Sequence, residues 1–181
     1  LRGLIKRAAD HEPIAYLVGR TEFYSLSIHV TPDVLIPRPE TECLVERALE
    51  SLTAGPNPGH KSILELGTGS GAVVLALASE NSRHSYLGTD VSIDAVRVAR
   101  HNSMRHGMDA KMRFMIASLF EPFDAKSIIF DLIVSNPPYI RSGDIPQLQP
   151  EICRYEPVLA LDGYVDGLGC IKRIISSAHR F

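Results

Sequence analysis

The stretch SILELGTGSG, residues 62–71, carries an apolar run directly into a turn with glycine at every second position. Residues 62–66 predict a strand, and residues 70–80, which are apolar on nearly all sides, predict a buried helix. Alternate glycines permit positive φ angles and let a ligand approach the backbone closely. A strand, a glycine turn and a helix in this order are typical of the sheet end at which α/β proteins bind nucleotides.

The chain that follows this stretch alternates between strand and helix patterns. Further strands are predicted at residues 86–89, 112–117 and 130–135, and further helices at 92–106 and 166–180. Such alternation predicts the α/β class, with a Rossmann-like, doubly wound and mostly parallel sheet. Four strands followed by a helix are an unusual end for such a sheet, so we expect the sheet to be truncated at its C-terminal strands.

The first 60 residues predict a smaller addition to this sheet. Residues 22–30 alternate like a half-buried strand, residues 31–33 predict a turn and residues 34–36 a short return strand. We therefore predict an N-terminal β-hairpin beside the main sheet. A helix with an apolar stripe is predicted over residues 37–52, and the proline- and glycine-rich residues 53–60 predict a loop.

Two acidic residues accompany the glycine turn. Asp90 ends the second predicted strand 23 positions after Gly67, near the spacing of about 20 at which an acid meets ribose hydroxyls. Residues 67–72 also satisfy the dinucleotide fingerprint, so the turn alone does not identify the nucleoside. Gly71, the acid Glu65 ahead of the turn and the lack of an obvious hydride-transfer constellation argue against NAD.

Asn-Pro-Pro-Tyr, residues 136–139, follows the fourth predicted strand. Paired prolines fix φ at about −65° and remove two N–H donors. The carbonyls of Asn136 and Pro137 can therefore point outward with the Asn136 carboxamide, beside the Tyr139 ring. This arrangement predicts a receptor for a flat NH2 group. Asn-Pro pairs also mark ordinary turns, but the glycine turn upstream favours the receptor.

Composition narrows the function classes. The 181 residues carry a formal net charge of −2, which offers no global attraction to nucleic acid. Three separated cysteines favour a reducing compartment, and seven histidines show no metal-ligand spacing. No apolar run reaches the ~18 residues of a membrane span. We expect a cytoplasmic protein, or one of an organellar matrix if the source is eukaryotic, with no metal and no membrane contact.

The glycine turn, Asp90 and Asn-Pro-Pro-Tyr together resemble the S-adenosylmethionine-dependent methyltransferases that act on amino groups. Within that class the N-terminal motifs resemble the HemK/PrmC family of protein-(glutamine-N5) methyltransferases, which modify peptide chain release factors. These motifs are EPIAYLVG (12–19), EFY (22–24) and IPRPETE (36–42). YEP (155–157) and DGL (166–168) also resemble that family, so the likeness covers most of the chain.

The resemblance also implies a division of the chain into three segments. Residues 1–20 would be the end of an N-terminal helical domain, with a helix over 1–9 and a connector over 11–19. Residues 21–60 would be the hairpin and the helix that lead into the core. Residues 61–181 would be the S-adenosylmethionine-dependent methyltransferase domain, incomplete at its C-terminus.

The cofactor implied by the resemblance is S-adenosyl-L-methionine, with S-adenosyl-L-homocysteine as the product. Glu65 would hold the methionine end and Asp90 the ribose. Some relatives place an acid and a tryptophan beside the adenine, where this sequence has Ser118 and Leu119, so Leu119 would offer apolar contact only. The implied cofactor-binding residues are Glu65, Gly67, Thr68, Gly69, Ser70, Gly71, Asp90, Leu119 and Asn136.

The substrate implied by the resemblance is the glutamine of the GGQ motif in a release factor. Asn136, Pro137 and Tyr139 would be catalytic, since the first two would accept the amide hydrogens while the Tyr139 ring packs on the amide plane. We expect the protein to act as a monomer. The implied substrate-binding residues are Arg38, Pro39, Glu40, Asn136, Pro137, Pro138 and Tyr139.

Other functions are compatible with parts of this pattern. A nucleic-acid amino (adenine N6) methyltransferase shares Asn-Pro-Pro-Tyr but would need a basic cleft or a target-recognition domain. A ribosomal-protein glutamine methyltransferase would share the chemistry, and a non-catalytic scaffold would share the fold. The net charge of −2 favours a protein substrate, with no direct sequence-specific contact to nucleic acid.

Overall fold

The computed structural model of the chain describes residues 2–54 and 59–181. Residues 55–58 of the loop predicted over residues 53–60 therefore lie outside the described residues. The helices are α1 (Arg2–Ala9), α2 (Ile14–Val18), α3 (Glu42–Thr53), α4 (Ala72–Glu80), α5 (Ile93–Arg105), α6 (Pro150–Tyr155) and α7 (Gly169–Ala178). The strands are β1 (Arg20–Phe23), β2 (Leu26–His29), β3 (Ser62–Leu66), β4 (Ser85–Asp90), β5 (Met112–Ile116) and β6 (Leu132–Ser135).

The main sheet has four parallel strands in the order β5-β4-β3-β6. This order confirms the prediction of a Rossmann-like α/β fold with a mostly parallel sheet. Leu66, the last residue of β3, pairs with Ser135, the last residue of β6. Because the two strands are parallel neighbours, the turns that follow them leave the same edge of the sheet side by side.

Apolar side chains cover both faces of this sheet. On β3, Ile63 belongs to one buried cluster, whereas Leu64 and Leu66 belong to a second cluster with Phe120. This division follows from the alternation of side chains along a strand. Helix α4 is buried from Ala72 to Ala78, as its apolar sequence predicts. The sheet is therefore doubly wound, with packed helices on its two sides.

The N-terminal hairpin exists, but its predicted strands were wrong. The antiparallel pair is β1 with β2, and residues 34–36, predicted as the return strand, form no strand. The turn lies at Tyr24 and Ser25, whose φ angles are 50° and 60°. Two positive φ angles are typical of a tight hairpin turn, which usually carries glycine or asparagine. Because neither glycine nor asparagine occupies these positions, no sequence pattern predicts the turn there.

Other boundaries also differ from the predictions, and the helix predicted over residues 37–52 covers Glu42–Thr53, after a 3-10 turn at Pro39–Thr41. Residues 11–19, predicted as a connector, contain helix α2 between Pro13 and Gly19. The strand predicted from residue 130 begins at Leu132, and the helix predicted over 166–180 covers Gly169–Ala178. Shifts of a few residues at element ends are common because terminal residues fray. None of these changes moves the two turns that follow β3 and β6.

Asn102 fastens the hairpin to the main domain. This side chain on α5 is fully buried, at 0% exposed. Its Oδ1 accepts the His29 N–H at 2.8 Å, and its Nδ2 donates to the carbonyls of His29 and Ser70, each at 2.9 Å. Residues from both sides of position 60 also share one buried cluster. The hairpin is therefore packed into the same core as the sheet, and the division at residues 20 and 60 stays a prediction.

Candidate functional site

A cavity of about 260 Å³ opens at the carboxyl ends of β3, β4 and β6. Residues from widely separated stretches of the sequence form its wall, so the fold brings together groups that were predicted separately from the sequence. Ligands of open α/β sheets bind at this edge. The sequence-predicted residues that line the cavity are Arg38, Glu65, Gly67, Thr68, Gly69, Ser70, Asp90, Leu119, Asn136 and Pro138.

Five sequence-predicted residues, all within the described chain, lie outside this wall: Pro39, Glu40, Gly71, Pro137 and Tyr139. Pro39 and Glu40 are exposed in the short 3-10 turn over Pro39–Thr41. Tyr139 is 62% exposed at the surface beyond the Asn-Pro-Pro sequence. The contacts assigned to these five residues stay predictions.

The glycine turn presents open backbone to the cavity. Gly67 and Gly69 have φ angles of 70° and 53°, which side-chain-bearing residues rarely adopt. A Cβ built on either residue would have no described atom within 4 Å, so each glycine borders open space. The Thr68 N–H donates to the Thr89 carbonyl at 2.8 Å and fixes the turn to the end of β4. A ligand can therefore lie directly on this backbone.

Glu65 is the most deeply buried acid of the cavity wall, at 2% exposed. Its Oε2 accepts the hydroxyl of Thr68 at 2.5 Å. Burial raises the pKa of this carboxyl from 4.5 to about 8, although the Thr68 hydrogen bond opposes the rise. A buried carboxyl without a cation holds its proton because the charged form is poorly solvated. Glu65 can become charged when a cation lies beside it.

Asp90 holds the glycine turn in place. Its Oδ2 accepts the Gly69 N–H at 2.9 Å, and its Oδ1 accepts the Ser92 N–H at 3.0 Å. Burial raises the pKa of this carboxyl, and the backbone donors partly oppose the rise. Each carboxylate oxygen has two lone pairs, so both can accept a further hydroxyl from the cavity side. The geometry is compatible with the predicted contact to ribose.

Asn136 lies directly after β6 and lines the same cavity as the glycine turn. Its Nδ2 donates to the Thr41 Oγ1 at 3.2 Å, across 95 positions of sequence. Thr41 also lines the cavity. Thr41 belongs to the IPRPETE motif, but its contact with Asn136 was not predicted. No spacing rule connects two residues so far apart. Only the fact that both belong to motifs of the same family could have suggested their contact.

Arg38 is held at the cavity by an ion pair. Its Nη2 donates to the Glu156 Oε1 at 2.6 Å. Glu156 is 5% exposed, and its burial raises the pKa of the carboxyl while Arg38 lowers it. The Arg38 carbonyl also accepts the Thr41 N–H at 2.9 Å. Glu156 therefore fixes the position of the turn that carries both cavity residues.

The backbone beyond Asn-Pro-Pro-Tyr is supported by a neighbouring loop. The Ile140 N–H donates to the Leu161 carbonyl at 3.0 Å, and the Gly163 N–H donates to the Ile140 carbonyl at 2.7 Å. A Cβ on Gly167 would come within 2.5 Å of the Tyr139 carbonyl oxygen. The close packing of this glycine against the chain restricts the position of Tyr139. No sequence pattern predicts that this loop packs against Tyr139 and Ile140.

Leu119 contributes an apolar part of the cavity wall. It packs against the cluster that contains Leu64 and Leu66. Its φ angle of 50° is unusual for leucine, and the sequence contains no sign of that conformation. The observed environment is compatible with the apolar contact predicted for this residue.

In residues 2–54 and 59–181, no group of three or more His, Cys, Asp and Glu side chains is arranged to hold a metal ion. Across the same ranges, no helix combines the length and the apolar character that a membrane span requires.

Comparison with known proteins gives matches along nearly the whole chain. The family model described as "Methyltransferase small domain" matches residues 43–153. The chain is 43% identical to the release factor glutamine methyltransferase of Geobacter sulfurreducens, over 99% of this chain and 60% of that protein. It is 46% identical to the protein of the same name from Yersinia pestis, over 98% of this chain and 61% of that protein. The names of these relatives confirm the resemblance stated from the motifs.

The chain spans about 60% of the length of these curated relatives. Among solved structures, it resembles the hMettl16 catalytic domain in complex with MAT2A 3′UTR hairpin 1, with a TM-score of 0.68 at 15% identity. That likeness covers 99% of this chain and 72% of the other. At so low an identity, the likeness shows the shared fold alone.

Proposed function

The chain belongs to the methyltransferase small domain family, and from that premise we propose that it methylates a glutamine side chain of a protein. The methyl donor is S-adenosyl-L-methionine. The acceptor is the amide nitrogen of the glutamine in the GGQ motif of a peptide chain release factor. The names of the curated relatives support this choice of acceptor.

One observation carries the proposal: the Asn136 carboxamide lines the same cavity as the glycine turn and its two acids. The end of β3 supplies a nucleoside-binding turn, and the end of β6 supplies a polar group that can recognise an amide. The adjacent register of the two strands places both at one edge of the sheet. Methyl transfer needs this proximity because alignment of the reacting atoms provides much of the rate enhancement.

The residues around the cavity fit the proposed cofactor. Gly67 and Gly69 border open space where a ligand can approach the backbone. Asp90 retains acceptor lone pairs for the ribose hydroxyls. Glu65 would take up the amino group of the methionine end, because a cation beside a buried carboxyl favours its charged form. When bound, this cofactor supplies an electrophilic methyl group on a sulfonium.

On the acceptor side, this chain orients a weak nucleophile. A glutamine amide nitrogen is weakly nucleophilic because its lone pair is delocalised into the carbonyl. The Asn136 Oδ1 and the Pro137 carbonyl would accept its two hydrogens, hold the nitrogen in place and favour the positive charge that develops there. Tyr139 would pack on the amide plane. The methylated amide then becomes acidic and loses its proton to water, so these residues need not include a strong base.

The experiment that tests this proposal measures transfer of radiolabelled methyl from S-adenosyl-L-methionine. The purified chain is incubated in parallel with a release factor, the same factor with its GGQ glutamine replaced by alanine, ribosomal protein, DNA and RNA. We expect label in the intact release factor and none in the alanine variant. Label in DNA, RNA or ribosomal protein instead, or no label in any acceptor, would overturn the proposal.

A further inference from the structure

Thr41 stands at the beginning of helix α3, where a threonine hydroxyl usually caps the helix. Here Thr41 has helical dihedral angles, with φ −71° and ψ −16°. Within the described chain, its side chain makes no capping hydrogen bond to the helix. The hydroxyl instead accepts the Asn136 Nδ2 at 3.2 Å. Helix capping therefore does not account for a hydroxyl at this position.

The contact determines which end of the Asn136 carboxamide faces the cavity. A carboxamide carries two donors on nitrogen and two acceptor lone pairs on oxygen. With Nδ2 directed at Thr41, Oδ1 is the end available to a bound amide. An unrestrained carboxamide could rotate and present its NH2 group, which would repel the NH2 group of a glutamine. In the observed contact the Thr41 hydroxyl accepts from Nδ2 and so holds the carboxamide with Oδ1 available to a bound amide.

Thr41 itself is held by the turn that precedes α3. Its N–H donates to the Arg38 carbonyl at 2.9 Å, and Arg38 is fixed by its ion pair with Glu156. The side chain also lines the cavity together with Asn136. A hydroxyl held in this way can restrict a neighbouring side chain without contacting the reacting atoms.

We propose that Thr41 is a positioning residue, which acts through Asn136 by fixing the orientation of its carboxamide for the acceptor amide. This inference rests on the proposed function. It adds Thr41 to Arg38, which lines the site from the N-terminal segment beside the carboxyl ends of the sheet strands. Because Thr41 acts on the acceptor side, its loss should affect turnover and leave cofactor affinity unchanged.

The test compares Thr41→Val, which replaces the hydroxyl by a methyl of similar size, with Thr41→Ser, which keeps the hydroxyl. Thr53→Val, at the exposed far end of the same helix, controls for the effect of valine in α3. We expect Thr41→Val to lower kcat about tenfold, and Thr41→Ser to restore it to within about twofold of the wild type. The dissociation constant for S-adenosyl-L-methionine, measured by calorimetry, should stay within about twofold in all variants.

A second readout does not require turnover. The side-chain NH2 signals of Asn136 are followed by NMR in the full chain and are identified by their loss in Asn136→Ala. We expect them to shift in Thr41→Val and to keep their wild-type positions in Thr41→Ser and Thr53→Val. Unchanged signals in Thr41→Val, or equal losses of kcat in Thr41→Val and Thr41→Ser, would overturn the role of Thr41. If the wild-type chain transfers no methyl, the proposed function fails, and the NMR signals alone decide the positioning role.

Discussion

The turns after β3 and β6 face one cavity, but they are held in different ways. The glycine turn is held mainly within its own βαβ unit, where Thr68 bonds to Thr89 and Gly69 to Asp90, with one further bond from Asn102 on α5 to the Ser70 carbonyl. The Asn-Pro-Pro-Tyr turn depends on distant segments, with Thr41 beside Asn136 and Gly167 against Tyr139. The first turn is a local structure, whereas the second is assembled by the tertiary fold.

This difference suggests a division of tasks between the two sides of the cavity. A locally fixed turn provides a constant surface for a cofactor. A turn held by remote segments can be adjusted by changes in those segments, which suits recognition of a particular acceptor. If the division is correct, substitutions on the β6 side should change turnover, and substitutions on the β3 side should change cofactor affinity.

The largest effect is expected for Asn136→Ala. Removal of the carboxamide takes away the acceptor that favours charge on the attacking nitrogen, so kcat should fall by about 100-fold to 1,000-fold. The dissociation constant for S-adenosyl-L-methionine should change by less than about fivefold. Calorimetric titration beside a turnover assay separates the two quantities. The control is Gln147→Ala, which removes an exposed carboxamide outside the cavity wall. Equal losses of turnover and affinity in Asn136→Ala would contradict the division of tasks.

A smaller effect is expected for Asp90→Ala, and it should change cofactor affinity where Asn136→Ala changes turnover. This change removes a charged acceptor from the Gly69 and Ser92 N–H groups. The cofactor dissociation constant should rise about 10-fold to 100-fold, because hydrogen bonds to charged groups contribute about 1.5–3 kcal/mol each. Calorimetry measures the constant. The control is Asp94→Ala, which breaks an exposed ion pair with Arg97 and should leave the dissociation constant unchanged. An unchanged dissociation constant in Asp90→Ala would show that the turn does not need its acid.

The smallest effect concerns the pH dependence of stability through Glu65. The pKa of this carboxyl is about 8 in the fold, against an ordinary value of 4.5. Between these values the folded chain keeps a proton that the unfolded chain releases, so stability falls as the pH rises through this range. Relative to Glu65→Gln, which stays neutral, the wild type should lose about 1 kcal/mol between pH 6 and pH 7.

Urea unfolding of both proteins, without cofactor, measures this difference. Glu50→Gln replaces an exposed carboxyl that pairs with Arg47 and controls for the loss of one acidic residue. Parallel pH profiles for the wild type and Glu65→Gln would show that Glu65 is not held neutral by burial. Such a result would weaken the view that the β3 side is a preformed cation acceptor.

The main sheet and the residues of the glycine turn could be predicted from the sequence. Both depend on local patterns: alternation of strands and helices, glycines that tolerate positive φ, and an acid at the end of the next strand. These patterns are consequences of backbone geometry within one structural unit. The strand order then places Asn136 beside the turn without any further information.

Features that depend on unusual local conformations or remote contacts were not predictable. The hairpin turn at Tyr24 and Ser25 and the backbone at Leu119 use positive φ angles in residues that rarely adopt them. The neighbouring loop determines the position of Tyr139, and Thr41 reaches Asn136 from 95 positions away. Each of these depends on packing that single-sequence patterns do not encode.

Asn102 has a consequence for how the molecule fluctuates. Its single carboxamide bonds to both backbone groups of His29 and to the Ser70 carbonyl. Detachment of the hairpin would leave buried polar atoms without partners, at a cost of about 1–3 kcal/mol for each. The hairpin and the glycine turn should therefore open as one cooperative unit, and a ligand that orders the turn would also slow the fraying of strand β2.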